Sequence, residues 1–203
     1  MKLKVCGMRD SENILGVSKI GPDYLGFIFF PKSPRYACDL DPNVLTLIPK
    51  TIQKTGVFVN SEYEDIMSVV TKYGLDAVQL HGDETPELVA KLKQRGMTVI
   101  KVFRILDELP ENLEKYDQLA DFFLFDTKAA IYGGTGHHFN WSVLEGYPYE
   151  TSYFLSGGLK IEDIELIKSM DLPKLVGLDV NSKFEIEPGL KDLNLIEKLK
   201  AEL

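Results

Sequence analysis

The amino-acid sequence predicts an α/β protein in which eight parallel strands alternate with helices and close into a (β/α)8 barrel. Three observations predict it. Eight short apolar runs recur along the 203 residues. Most are continuously apolar rather than alternating, as strands covered on both faces are. Polar and glycine-rich stretches follow these runs, where a barrel of the TIM type builds its sites. Eight βα units average about 25 residues each, tight but near the lower limit for this architecture. Strand count alone does not show closure, so an open doubly wound sheet is the alternative.

The strand-like runs are residues 3–6, 24–29, 55–59, 77–80, 99–103, 122–125, 153–155 and 175–180. Asp41 with Pro42 opens a helix leading to Leu45 and Ile48. Ser61 with Glu64 has the form of a capping box, ahead of Ile66, Val69, Val70 and Tyr73 on one face, and Gly74 ends that helix. Thr85 and Pro86 start another, whose Leu88, Val89 and Leu92 stripe stops at Gly96. Residues 140–145 read as a short, weak helix after a long loop. Ile161, Ile164 and Ile167, then Leu195, Ile196 and Leu199, mark the last two apolar faces. No linker or repeat interrupts the pattern, so one domain over residues 1–203 is expected.

Acidic residues number 31 and basic ones 23, a formal charge of −8. That balance argues against nucleic-acid or anionic-membrane partners, yet allows a small anion to be held by local positive groups and backbone amides. The longest apolar run, residues 25–30, is far too short to span a bilayer, and the N-terminus shows no signal region, so a cytoplasmic location is expected. Cys6 and Cys38 supply no disulfide framework. No Cys or His pair has zinc-ligand spacing, and neither metal nor cofactor is expected.

The chemistry-bearing residues lie just after the strands. Cys6 ends the first, Arg35 follows the second in a loop stiffened by Pro31 and Pro34, and His81 follows the fourth. Asp126 ends the sixth, Ser156-Gly157-Gly158 follows the seventh, and Asn181-Ser182 the eighth. Gly157 and Gly158 allow backbone N–H groups to approach a phosphate, as the last two βα loops of such barrels often do. Taken singly, each has a plainer reading: a core thiol, a surface arginine, an ordinary tight turn. A thiol and a carboxyl at one mouth nevertheless suit paired proton transfer. Their free pKa values, about 8.5 and about 3.9, require the thiol to shift down and the carboxyl up for that task. His81 is a candidate ligand contact, and His137 and His138 read as solvated loop residues.

Several blocks, in order, resemble the phosphoribosylanthranilate isomerase family. They are Lys4-Val5-Cys6-Gly7-Met8, residues 29–36 around Pro31-Lys32-Ser33-Pro34-Arg35, Val57-Phe58-Val59-Asn60 and Val78-Gln79-Leu80-His81-Gly82-Asp83-Glu84. Leu124-Phe125-Asp126-Thr127, Gly133-Gly134-Thr135-Gly136, Leu155-Ser156-Gly157-Gly158-Leu159 and Pro188-Gly189-Leu190-Lys191-Asp192 continue the series to about residue 192. The resemblance implies an Amadori rearrangement of N-(5-phosphoribosyl)anthranilate in tryptophan biosynthesis, without cofactor. Asp126 would be the general acid, Cys6 the general base, and Arg35 the partner of the anthranilate carboxylate. Gly157, Gly158, Asn181 and Ser182 would hold the phosphate, and residues 132–139 resemble the loop that closes over ligand. The family pattern after the eighth strand is a small pair followed by Gly-Val-Glu. Here Lys183 stands at the glycine, which puts the local backbone in question. The alternatives are another phosphosugar aldose–ketose isomerase barrel, whose acid–base pair is two aspartates, and a non-catalytic phosphate-binding barrel. A monomer or a homodimer fits the sequence equally.

Overall fold

The computed structural model describes residues 1–105, 107–127 and 140–203. Eight parallel strands form a closed barrel: β1 (Lys2–Val5), β2 (Tyr24–Ile28), β3 (Gln53–Phe58), β4 (Ala77–Leu80), β5 (Thr98–Ile105), β6 (Phe122–Thr127), β7 (Tyr153–Leu155) and β8 (Leu175–Val180). The seam is made by β1 on β8, with Lys2 opposite Gly177 and Val5 opposite Val180. Closure removes the open-sheet alternative. All eight strands overlap their sequence-predicted runs, because a segment apolar on both faces has no other stable place in an α/β fold.

Helices cover the barrel: α1 (Ser11–Ile20), α2 (Pro42–Thr46), α3 (Tyr63–Tyr73), α4 (Pro86–Gln94), α5 (Ile164–Ser169) and α6 (Leu193–Glu202). Short 3-10 turns sit at Leu113–Lys115 and Trp141–Leu144. An antiparallel ribbon, β9 (Glu185–Glu187) with β10 (Leu190–Lys191), follows β8. The sequence reading missed α1, although Asp10 caps it by accepting from the Asn13 N–H at 2.8 Å and Gly21 ends it. The capping box at Ser61 and Glu64 is corrected. Helix α3 starts at Tyr63, one residue later than that box requires, with Glu62 at its N-cap and no side-chain cap bond.

Alternation along each strand divides the interior from the exterior. Outward residues such as Leu3, Val5, Leu25, Phe27, Phe123 and Phe125 join the large core beneath the helices. Inward residues form a smaller apolar floor of Tyr24, Ile100, Val102, Leu124 and Phe154, with Phe122 and Val176 packed against it. Here Tyr24 meets Phe154 edge-on at 5.4 Å, and Phe122 meets Phe154 at 5.4 Å. Above this floor most inward positions turn polar, Ile28 and Val57 excepted. The floor therefore determines where the mouth begins.

Phe154 is fully buried at the centre of that floor. Phe154→Ala is expected to cost about 3–5 kcal/mol and Phe154→Leu much less, because only the first leaves a large cavity. Urea denaturation of both variants checks this, and equal costs would show that the ring is not packed as described.

Candidate active site

A cavity of about 200 Å³ opens at the C-terminal ends of the strands. Its wall includes Cys6, Arg35, His81, Asp126, Ser156, Gly157, Gly158, Asn181 and Ser182, so every site residue expected from sequence lines one space. The alternation explains why. Cys6, Ile28, Val57, His81, Asp126, Ser156 and Asn181 all occupy inward positions at or just past a strand end. His137, His138 and the loop over residues 132–139 lie outside the described residues.

Gly7 and the Gly157-Gly158 pair are glycines for different reasons. Gly7 has φ +77, and a Cβ there would lie 2.7 Å from both the Arg35 Cδ and the Asn181 Oδ1. The side chains of β2's loop and β8's loop converge over the backbone that follows Cys6 only because residue 7 has no side chain. Gly157 and Gly158 have φ 96 and 76, a left-handed pair that turns the backbone into the cavity wall. Lys183 adopts no positive φ, and Ser182–Phe184 forms an ordinary 3-10 turn. The lysine is thus accommodated without strain, and it too lines the cavity.

The electrostatics divide into two connected groups. On one side, Arg35 donates from Nε to Glu185 Oε1 and Oε2 at 2.9 Å each, and from Nη2 to Oε2 at 2.7 Å. Lys191 Nζ reaches Glu185 Oε1 at 2.6 Å and Asn181 Oδ1 at 2.7 Å. The ribbon after β8 thus fixes both the guanidinium and the asparagine. On the other side, Lys4 Nζ donates to Asp179 Oδ1 at 2.8 Å, with the lysine fully buried inside the barrel. The sequence reading assigned no role to Lys4, Gln79, Asp179, Glu185 or Lys191. A charged residue at an inward position of an apolar strand, as in Lys4 and Asp179, was the available signal.

Cys6 is buried, and burial pushes its thiol up. Lys4 is the strongest influence in the opposite direction, Lys191 also lowers it, and Asp179 adds to the rise. The net direction is upward, which corrects the expectation of a lowered thiol in the ligand-free chain. Asp126 is half-buried with 27% of its side chain exposed, so it is not enclosed by its apolar strand. Its Oδ2 lies 3.4 Å from His81 Nε2. The Gln79 amide nitrogen lies 3.2 Å from His81 Nδ1. With Gln79 at Nδ1 and Asp126 at Nε2, the imidazole ring is held from both sides. His81 is therefore placed to orient that carboxyl.

The loop carrying His81 is itself stapled. Lys101 Nζ donates to Gly82 O at 2.7 Å and Glu84 Oε2 at 3.0 Å. Glu84 accepts from the N–H groups of Asn60 and Gly82 at 2.9 Å each. The Tyr116 hydroxyl donates to Glu84 O at 2.8 Å. One buried pair thus joins the loops after β3 and β4 to β5.

A family model described as N-(5'-phosphoribosyl)anthranilate isomerase matches residues 3–201. The chain belongs to that family. Its members are isomerases of tryptophan biosynthesis on TIM barrels. The isomerase of Parabacteroides distasonis is 43% identical over 205 residues, covering 98% of this chain and 90% of that protein. A phosphoribosyl anthranilate isomerase solved in complex with reduced 1-(o-carboxyphenylamino)-1-deoxyribulose 5-phosphate superposes with a TM-score of 0.80 at 31% identity. That match covers 100% of this chain and 97% of the other. An isomerase from Thermotoga maritima, described as monomers generated from a dimeric enzyme, gives a TM-score of 0.78 at 32% identity over 100% and 97% of the two chains. Among the described residues no helix is long and apolar enough to cross a membrane, and no cluster of three His, Cys, Asp or Glu side chains could hold a metal ion.

The ion pairs make the mouth sensitive to acid. Burial alone would raise the Glu185 carboxyl, but the bonds from Arg35 and Lys191 outweigh it and hold it below its ordinary 4.5. A depressed carboxylate stabilises the fold above that value and ceases to do so as pH falls through the lowered native one. Glu185→Gln is expected to cost about 3 kcal/mol at neutral pH, since two cations lose their buried partner. The difference from the native protein should shrink as pH drops below 4.5. Denaturation curves at neutral and acid pH measure it, and a difference independent of pH would show that the carboxylate is not the stabilising form.

Proposed function

We propose that this isomerase converts N-(5-phosphoribosyl)anthranilate to 1-(o-carboxyphenylamino)-1-deoxyribulose 5-phosphate with Cys6 as general base and Asp126 as general acid. The observation that carries the reading is that Cys6 and Asp126 line one cavity, from β1 and β6, with the glycine pair and a guanidinium in the same wall. The relative solved with a reduced, phosphorylated product analogue supports the ligand class.

In this reading Asp126 gives its proton to the furanose ring oxygen. The C1–O bond breaks as the nitrogen lone pair forms the C=N bond of a protonated Schiff base. Cys6, as thiolate, removes the proton from C2, and those electrons form the C1–C2 double bond while the nitrogen recovers its lone pair. The resulting enolamine tautomerises to the C2 ketone, its hydroxyl proton leaving and C1 gaining one, so the product is an isomer of the substrate. No electrons leave the substrate, and the protein's part is proton placement and anion binding. His81, beside Asp126, orients the acid. Gly157, Gly158, Asn181 and Ser182 face the phosphate. Lys183, where the family has glycine, adds a cation to the same wall. Arg35 faces the aromatic carboxylate.

The active unit is a monomer or a homodimer, the latter being the form of the Thermotoga maritima relative. The acidic surface and the small cavity suit a small anionic substrate in the cytoplasm rather than nucleic acid or membrane.

Fluorescence-followed turnover of N-(5-phosphoribosyl)anthranilate tests the proposal. Cys6→Ser and Asp126→Asn are each expected to lose at least about a hundredfold in kcat, the low end for a positioned acid or base. Near-normal turnover in either variant removes that residue from the chemistry. Arg35→Lys keeps the charge but loses the planar fork, and substrate binding should weaken by about 1–3 kcal/mol, seen in KM. An unchanged KM places the carboxylate elsewhere.

A further inference from the structure

We propose that Lys4 is a positioning residue for Cys6: its ammonium, sealed beneath the mouth, is the built-in counter-charge for a Cys6 thiolate. The inference rests on the reading of Cys6 as the base and adds what makes that reading electrostatically tenable.

Lys4 and Cys6 are two residues apart at the end of β1, so both side chains project into the barrel. Gly26 on β2 faces them. A methyl placed there would touch both, 2.8 Å from Cys6 Sγ and 3.2 Å from Lys4 Nζ. The ammonium has no solvent exposure. It has three N–H donors, and the carboxylate it reaches is Asp179, at 2.8 Å. The neighbouring polar group is the Cys6 thiol, which shares the space over Gly26 with it and interacts with it electrostatically. Burying a lysine costs several kcal/mol unless its charge is answered. Asp179 answers it, and with the thiol's help holds Lys4 above its ordinary value although burial works the other way. Lys4 therefore stays charged throughout the working pH range.

The charges around the mouth show why this matters. Lys4 from β1, Lys191 from β10 and Arg35 from the loop after β2 are cations; Asp179 from β8 and Glu185 from β9 are anions. These five leave one positive charge in excess. Asp126 from β6, with His81 from the loop after β4 beside it, and the further cation Lys183 from the turn after β8 complete the set around the cavity. The fixed charges around the thiol are therefore net positive, which favours its ionised form. The arrangement thus suits a thiolate on Cys6, the form the proposed reaction needs. Of these cations, Lys4 acts most strongly on the thiol. Lys4 is not itself part of the cavity wall, so replacing it removes the counter-charge while every lining side chain stays, with Asp179 left unpaired.

The test reads the thiol directly. Alkylation of Cys6 by iodoacetamide, followed across pH by mass spectrometry of its peptide, gives the thiol's midpoint independently of turnover and of Cys38. Lys4→Met should raise that midpoint by at least about one pH unit and lower kcat at neutral pH at least about tenfold, with the acid limb of the rate profile moving in step. Lys4→Arg should restore most of both. Where Lys4→Met fails to fold, the Lys4→Met/Asp179→Asn double variant leaves neither partner charged and should still titrate higher than the native thiol. An unchanged midpoint in the folded variants overturns the proposal. A raised midpoint with the native rate profile leaves Lys4 in its role and removes Cys6 as the base.

Discussion

Charge buried inside a closed barrel has to be balanced inside it. Every inward side chain shares a narrow interior with those of seven other strands, and water is not there to screen an ion. The lower interior of this protein avoids the problem with Tyr24, Phe154 and their apolar neighbours. Its upper interior cannot, because a site that transfers protons and holds anions needs titratable groups. The result is a set of buried pairs, Lys4 with Asp179, then Arg35 and Lys191 with Glu185, each closing on its own strands and together ringing the mouth. Removing one partner of such a pair leaves an unanswered charge, so the network is held together by the cost of breaking it rather than by a large net gain.

The same constraint explains what the sequence disclosed and what it concealed. The strands were legible because continuous apolarity over a few residues has a local cause. The site residues from Cys6 to Ser182 were legible as a group because a barrel brings every strand's C-terminal end to one rim, whatever the sequence distance. The pairs were not. Lys4 finds Asp179 across 175 residues and Arg35 finds Glu185 across 150, and no local pattern marks such partners. The missed helix α1 was a different kind of failure. Asp10 and Gly21 punctuate it clearly, but its buried face includes Asn13 and Ser18, which blur the apolar stripe. Asn13 is buried there because it exchanges bonds with the Lys191 backbone, donating to O and accepting from N–H at 2.8 Å each. The polar interruption that hid the helix is thus the contact that anchors the ribbon carrying Lys191.

The Glu84 cluster shows a further division of labour. Lys101 and Glu84 are buried as deeply as the ions of the mouth, yet they face the loops and not the cavity. Burial lowers the Lys101 ammonium and Glu84 partly restores it, as expected of a pair that serves structure. Its effect is to fix Gly82 and so the turn that aims His81 at Asp126. A buried ion pair is thus no marker of chemistry by itself. What distinguishes Lys4 from Lys101 is the presence of a titratable thiol within its reach.

Arg35 raises the remaining question of how a guanidinium already paired with Glu185 could receive the carboxylate proposed for it. Glu185 engages Nε and Nη2, and Nη1 has no partner among the described residues. A guanidinium carries five N–H donors in a rigid plane, so fixing one edge fixes the direction of the rest. Glu185 therefore costs the site only part of its donor capacity and removes the rotational freedom that an unpaired arginine would lose on binding. Lys191, bonded to the same carboxylate, keeps that edge electrically satisfied when the other edge takes an anion. The ribbon after β8, short and partly exposed, thus acts on recognition through the two loops it ties together: Arg35 from β2 and Asn181 from β8.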